Sequence, residues 1–199
     1  MGEQEKKHDY HPITALDSFI KGLENEGDRA TVILVAAKLD TILFQLLQKC
    51  FIPVPGSKDE LLETDGPLGN FGPKINMAYR LGLINASFSH SLHLIRKIRN
   101  SFAHEVEGCT LNSGAHRDRV RELISPVENS KFFKEVCNTF KKDDKFELAS
   151  IQFRTMAAVI CTRLDILFLK CIALSDKNAL NLLDVMEKKT SKIIPEAKK

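Results

Sequence analysis

Apolar residues recur at offsets of three and four through most of the chain, and no convincing strand pair interrupts them. The pattern therefore predicts an all-α protein, an irregular antiparallel helical bundle. A short helix is expected over residues 14–24, with Ile13, Leu16, Phe19, Ile20 and Leu23 on its apolar side. Gly27 interrupts it, and Asp28 can cap a second helix that runs to about Cys50. Val32, Val35, Ala36, Leu39, Leu43, Leu46 and Leu47 mark the inner face of that helix, and Pro53, Pro55 and Gly56 end it. The turn-forming string 65–69 precedes a helix over about 73–81, with Pro73 in its first position and Gly82 at its end. Asn85 or Ser87 opens the next helix, which reaches about Ala103.

A short basic helix over 115–124 stops before Pro126. Ser130 caps a helix over 131–141 that should turn Phe132, Phe133, Val136, Cys137 and Phe140 inward. The longest pattern, 147–174, is apolar nearly all round towards its far end and is expected to be central, with Leu164, Leu167 and Cys171 largely buried. A last helix is expected over about 178–188. The organisation read from these boundaries is a disordered arm (1–12), one helical domain (13–189) and a loose basic tail (190–199).

At 199 residues, 43% hydrophobic and 28% charged, the chain can build a sizeable core, which excludes global disorder. A formal net charge of +3 does not by itself argue for nucleic acid. Its basic residues do cluster: Arg96, Lys97 and Arg99 are followed by His116, Arg117, Arg119 and Arg121, a set read first as a solvated face. The five cysteines include no C-x-x-C pair and suit reduced, buried thiols of a cytoplasmic protein. The charged start lacks the apolar core of a secretory leader. The apolar stretch 156–174 carries Arg163, Asp165 and Lys170, so it is read as a buried helix, and no membrane partner is expected.

The segment Arg99-Asn100-Ser101-Phe102-Ala103-His104 holds the most distinctive chemistry, with a guanidinium, an amide and an imidazole within one helix end. On a continuous helix Arg99 and His104 point about 140° apart. Their convergence on one ligand needs a helix end between them, a break, or a second chain. Arg99 also falls on the apolar stripe of Phe88, Leu92, Ile95 and Phe102, a costly place unless it is paired or faces a polar pocket. A structural or interface role is expected first. His90 and His93 stand three apart without a carboxylate or cysteine to complete a metal set, and are read as a polar face. Asp40 and Asp165 interrupt apolar helices and are expected to form core-edge ion pairs, with Arg163 or Arg99 as candidate partners. Gly66, Gly69 and Gly72 lack the lysine ending and preceding strand of a phosphate loop and should shape a turn. No metal or cofactor is expected.

The string DGPLGNFGPKINMAYRLGLIN, followed by an R-x-x-x-x-H, resembles the central signature of the mannitol operon repressor (MltR) family. The matching positions are Asp65, Gly66, Pro67, Leu68 and Gly69, then Tyr79 and Gly82 in the Y-x-L-G-L-I run, then Arg99 and His104, within roughly residues 28–105. The resemblance implies an all-helical, cytoplasmic bacterial protein linked to transcriptional repression. That family lacks a recognisable helix-turn-helix, and this chain offers no obvious groove reader either, so regulation through a protein partner or a homodimer is the leading expectation. The core R-N-x-x-x-H also resembles the HEPN superfamily of helical domains. That likeness implies an alternative, metal-independent endoribonuclease working at a dimer interface: His104 would exchange a proton, Arg99 would hold the scissile phosphate, and Asn100 would orient the histidine or bind phosphate. A third reading, a nonspecific nucleic-acid-binding module, rests on the basic cluster alone and predicts affinity that falls steeply with salt.

Overall fold

In a computed structural model of the chain, the described residues are 19, 21–56, 58–105, 108–140 and 147–176. The expected arm (1–12), the last helix (178–188) and the tail (190–199) lie outside them. The described residues are helical with no strand, as the apolar spacing predicts. The elements are α1 (Asp28–Cys50), α2 (Phe71–Arg80), α3 (Ala86–His104), α4 (Gly114–Ile124), α5 (Lys131–Phe140) and α6 (Leu148–Lys170).

α1 and α6 form the centre. α1 packs against α2, α3 and α6, and α6 packs against α1, α4 and α5. By length and composition alone α1 could cross a membrane; in the fold it lies at the middle of the bundle, with Val32, Val35, Leu39, Leu43, Leu46 and Leu47 wholly buried. α2 and α3 run antiparallel, as do α3 and α4, in line with expectation. Gly72 and Asn76 of α2 meet Arg96 and His93 of α3, and Ser101 and His90 of α3 meet Arg119 and Glu122 of α4. The central pair, by contrast, runs parallel. Asp28 and Ser150 join the starts of α1 and α6, while Lys49 donates to the Phe168 carbonyl and Leu174 N–H to the Cys50 carbonyl at their ends.

The start of that pair is held by a polar cluster that periodicity did not reveal. Arg154 of α6 is wholly buried. Its guanidinium donates to the Glu26 carbonyl at 2.7 Å, to Thr31 Oγ1 at 2.9 Å and to the Ser150 carbonyl at 3.1 Å, and it faces Asp28 Oδ1 at 3.4 Å. Asp28 does not cap α1, whose cap position is Gly27. Its carboxylate accepts instead from Leu111 N–H, Thr110 Oγ1 and Ser150 Oγ, pinning the 108–113 loop to both central helices.

Local expectations were met at several ends. Asn85 caps α3 by accepting from Phe88 N–H at 2.9 Å, and Ser130 accepts from Phe133 N–H at the start of α5. Gly82 follows α2 at φ +71°, where glycine is favoured. Others require correction. α2 begins at Phe71, with Pro73 as its third residue, still within the first turn where a missing N–H costs no helical bond. Phe132 faces solvent, because α5 turns Phe133 and Cys137 to the core. Leu164 is wholly buried, but Leu167 and Cys171 lie only half-buried, as α6 leaves the core near its end.

Candidate functional site

Helix α3 carries the RNSFAH segment, and its side chains sort by angle around the axis. Leu94, Ile95, Ile98 and Phe102 are buried. Phe102 meets the His116 ring of α4 with centroids 4.6 Å apart, which fixes the helix end against its neighbour. Arg99 lies at the edge of this stripe and is exposed, contrary to a core-facing position. The reason is local: where α3 passes the start of α2, the small residues Ala36, Ala37 and Gly72 leave a gap rather than a packed wall.

That gap is a cleft of about 450 Å³. Ile33, Ala36, Ala37 and Asp40 of α1 form one side, the 69–73 segment a second, and Arg96, Arg99 and Asn100 of α3 the third. Arg99 Nη1 donates to Asn100 Oδ1 at 3.2 Å, and no carboxylate among the described residues pairs with it. Arg96 lies over Gly72, and its buried Nε has no hydrogen-bond partner. Asp40, expected to pair with an arginine, pairs instead with Lys74 at 2.8 Å; Lys74 also donates to the Gly69 carbonyl and is itself buried.

A second cleft, of about 430 Å³, opens on the other side of Asn100. Lys97, Asn100, Ser101, His104 and Glu105 line it together with Arg119, which donates to Ser101 Oγ at 3.0 Å. His104 is exposed in the last turn of α3. Thus Arg99 and His104 lie in adjoining clefts of one chain, with Asn100 between them, as their angular separation of about 140° requires.

The signature residues upstream shape the scaffold. Glu63 and Leu61 carbonyls accept from Gly66 and Leu68 N–H, and Leu68 is buried. A Cβ at Gly69 would lie 2.3 Å from the Thr64 carbonyl oxygen, and one at Gly66 would lie 2.2 Å from that of Glu60. Close backbone approach, rather than a left-handed conformation, therefore calls for glycine at 69. Pro67 and Asp65 are exposed on this loop, and Tyr79 points to solvent.

The other candidates separate. His90 Nε2 pairs with Glu122 at 2.7 Å, and His93 Nε2 with Asn76 Oδ1 at 2.9 Å. Burial holds the His93 imidazole below its usual pKa, helped by the charges of Arg96, Lys97 and His90. Asp165 is buried on α6, and Arg163 is exposed. Among the described residues no group of three histidine, cysteine or carboxylate side chains is placed to hold a metal. Cys50, Cys137 and Cys161 are buried free thiols, and burial pushes that of Cys161 up to about 12.

These features define an all-α bundle whose polar chemistry gathers at the surface end of one helix. The same fold occurs in solved structures of other proteins. MtlR, in the MtlR–HPr complex from Escherichia coli, is similar over 75% of this chain and 98% of its own, with 16% identity and a TM-score of 0.55. YggD, a possible transcriptional regulator from Shigella flexneri 2a, is similar over 76% of this chain and 98% of its own, with 15% identity and a TM-score of 0.57. No family model and no curated protein sequence matches the chain.

Proposed function

We propose that this chain is a cytoplasmic, repressor-like transcriptional regulator that works through a protein partner or a homodimer rather than by reading DNA itself. The observation that carries the reading is the solvent-facing end of α3. Arg99 and His104 are exposed there, and the cleft that holds Arg99 also contains the exposed apolar side chain of Ile33. Exposed guanidinium beside apolar surface suits a protein interface. The fold likeness to MtlR, which was solved bound to HPr, supports a protein partner of that kind. No cofactor or metal enters this reading. The test is calorimetric titration of the purified chain with the HPr-type protein of the same organism, alongside operator DNA. Saturable binding, weakened by Arg99→Glu, is expected. Tight, sequence-specific operator binding by the chain alone, with no response to the protein, would overturn it.

The exposure of both Arg99 and His104 also supports the second reading, a metal-independent endoribonuclease in which two chains bring the Arg99, Asn100 and His104 sets together. It expects RNA cleavage in the presence of chelator, abolished by His104→Ala. A nonspecific nucleic-acid-binding module would instead show affinity that collapses with salt and does not discriminate sequence.

A further inference from the structure

We propose that the cleft between α1, the start of α2 and α3 binds a small phosphomonoester, with its phosphate held by Arg96 and Arg99. This goes beyond the partner reading and does not depend on it. The two guanidinium groups share one cleft, and neither has a carboxylate partner among the described residues. The nearest acid, Asp40, is already neutralised by Lys74. Two arginines three residues apart on a helix repel each other unless an anion lies between them.

The surroundings favour an anion as well. The Asn70 side chain makes no capping hydrogen bond at the start of α2, and Arg96 lies over Gly72 in its first turn. A cation at the positive end of a helix is misplaced by itself and well placed if both face a shared anion. Arginine's planar fork matches phosphate oxygens, and the Asn100 amide supplies a further donor. A volume of about 450 Å³ accommodates more than an inorganic ion, within the range of small-molecule sites. Ile33, Ala37 and Pro73 offer apolar wall to an organic body, and the Asp40 carboxylate can accept from a hydroxyl on it. A long polymer is less well served, because α1 and the 69–73 segment close two sides.

The experiment is isothermal titration of the full chain with inorganic phosphate, glycerol 3-phosphate and glucose 6-phosphate, with glucose as the uncharged control. Saturable binding of a phosphomonoester, tighter than that of inorganic phosphate and absent for glucose, is expected. Arg99→Ala, at an exposed position, should weaken it by at least about tenfold, the loss of one charge-assisted contact. Lys97→Ala removes the same charge one cleft away and should change affinity by no more than about twofold. Ala37→Trp fills the cleft with all charges kept and should abolish phosphomonoester binding. No binding to wild type at millimolar phosphomonoester would overturn the proposal. So would equal losses in Arg99→Ala and Lys97→Ala, which mark diffuse surface charge, or undiminished binding in Ala37→Trp.

Discussion

Replacing Arg154 with methionine tests whether the buried polar cluster holds the two central helices together. Methionine retains an unbranched stem of similar reach and removes only the guanidinium. The carbonyls of Glu26 and Ser150 then lose a charged donor, as does Thr31 Oγ1, and Asp28 loses its cationic neighbour. Breaking a buried pair costs about 3–5 kcal/mol. Asp28 retains three other donors, from Leu111, Thr110 and Ser150, which places the expected loss near the lower end, about 3 kcal/mol. In a domain of this size that corresponds to a fall in Tm of about 6–12 °C. Urea unfolding followed by circular dichroism at neutral pH measures it. The double variant Asp28→Asn/Arg154→Met should recover part of the loss, because no carboxylate is then left without its cation. A loss below about 1 kcal/mol for Arg154→Met would refute the reasoning, since that is the scale of one ordinary hydrogen bond.

The glycines of the signature separate by mechanism. Gly69→Val must displace the Thr64 carbonyl and should cost about 1–3 kcal/mol by thermal melting, while Gly82→Ala, in open space at φ +71°, should cost about 1 kcal/mol. His93 gives a pH signature. Its folded pKa lies below the unfolded value near 6.5, so the unfolded chain binds more protons and stability falls as pH drops through that window. Tm measured from about pH 7.5 to about pH 5.5 should therefore fall more steeply in wild type than in His93→Gln. Arg99→Ala and His104→Ala should each leave stability within about 0.5 kcal/mol, because both side chains are exposed and Arg99 bonds only its neighbour. A substantial melting loss in Arg99→Ala would restore the structural role that its position on the apolar stripe suggests.

What the sequence disclosed was the part governed by local rules. Three- and four-residue spacing located α1, α3 and α6, and Asn85 and Gly82 marked the start of α3 and the end of α2, because capping and left-handed conformation depend on few residues. What it concealed depends on residues far apart in the chain. Arg154 stands on a largely apolar helix, and apart from the Ser150 carbonyl its partners, Glu26, Asp28 and Thr31, lie more than a hundred positions earlier. The parallel course of α1 and α6 is likewise set by contacts at both ends of the pair. Lys74 carries no sign in its own helix that Asp40 will meet it, so sequence spacing points Asp40 to the arginines instead. At the candidate site, RNSFAH was visible as a string, and Arg96 was visible as one of a basic cluster. That Arg96 and Arg99 share a cleft required knowing which neighbour leaves room beside them.

The angular order around α3 runs Arg99, Arg96, Asn100, His104, Lys97, Ser101, and each cleft takes one arc of it. Asn100 sits where the arcs meet, about 100° from Arg99 and about 40° from His104. Within one chain the histidine therefore cannot share a ligand with Arg99 unless that ligand crosses the Asn100 ridge. A second chain could supply the missing half, and that requirement separates the readings by concentration. Ribonuclease action needs two ends of α3 to face each other and must fall away on dilution below the dimer constant. Phosphate held by Arg96 and Arg99 needs one chain, and its affinity should not change with protein concentration.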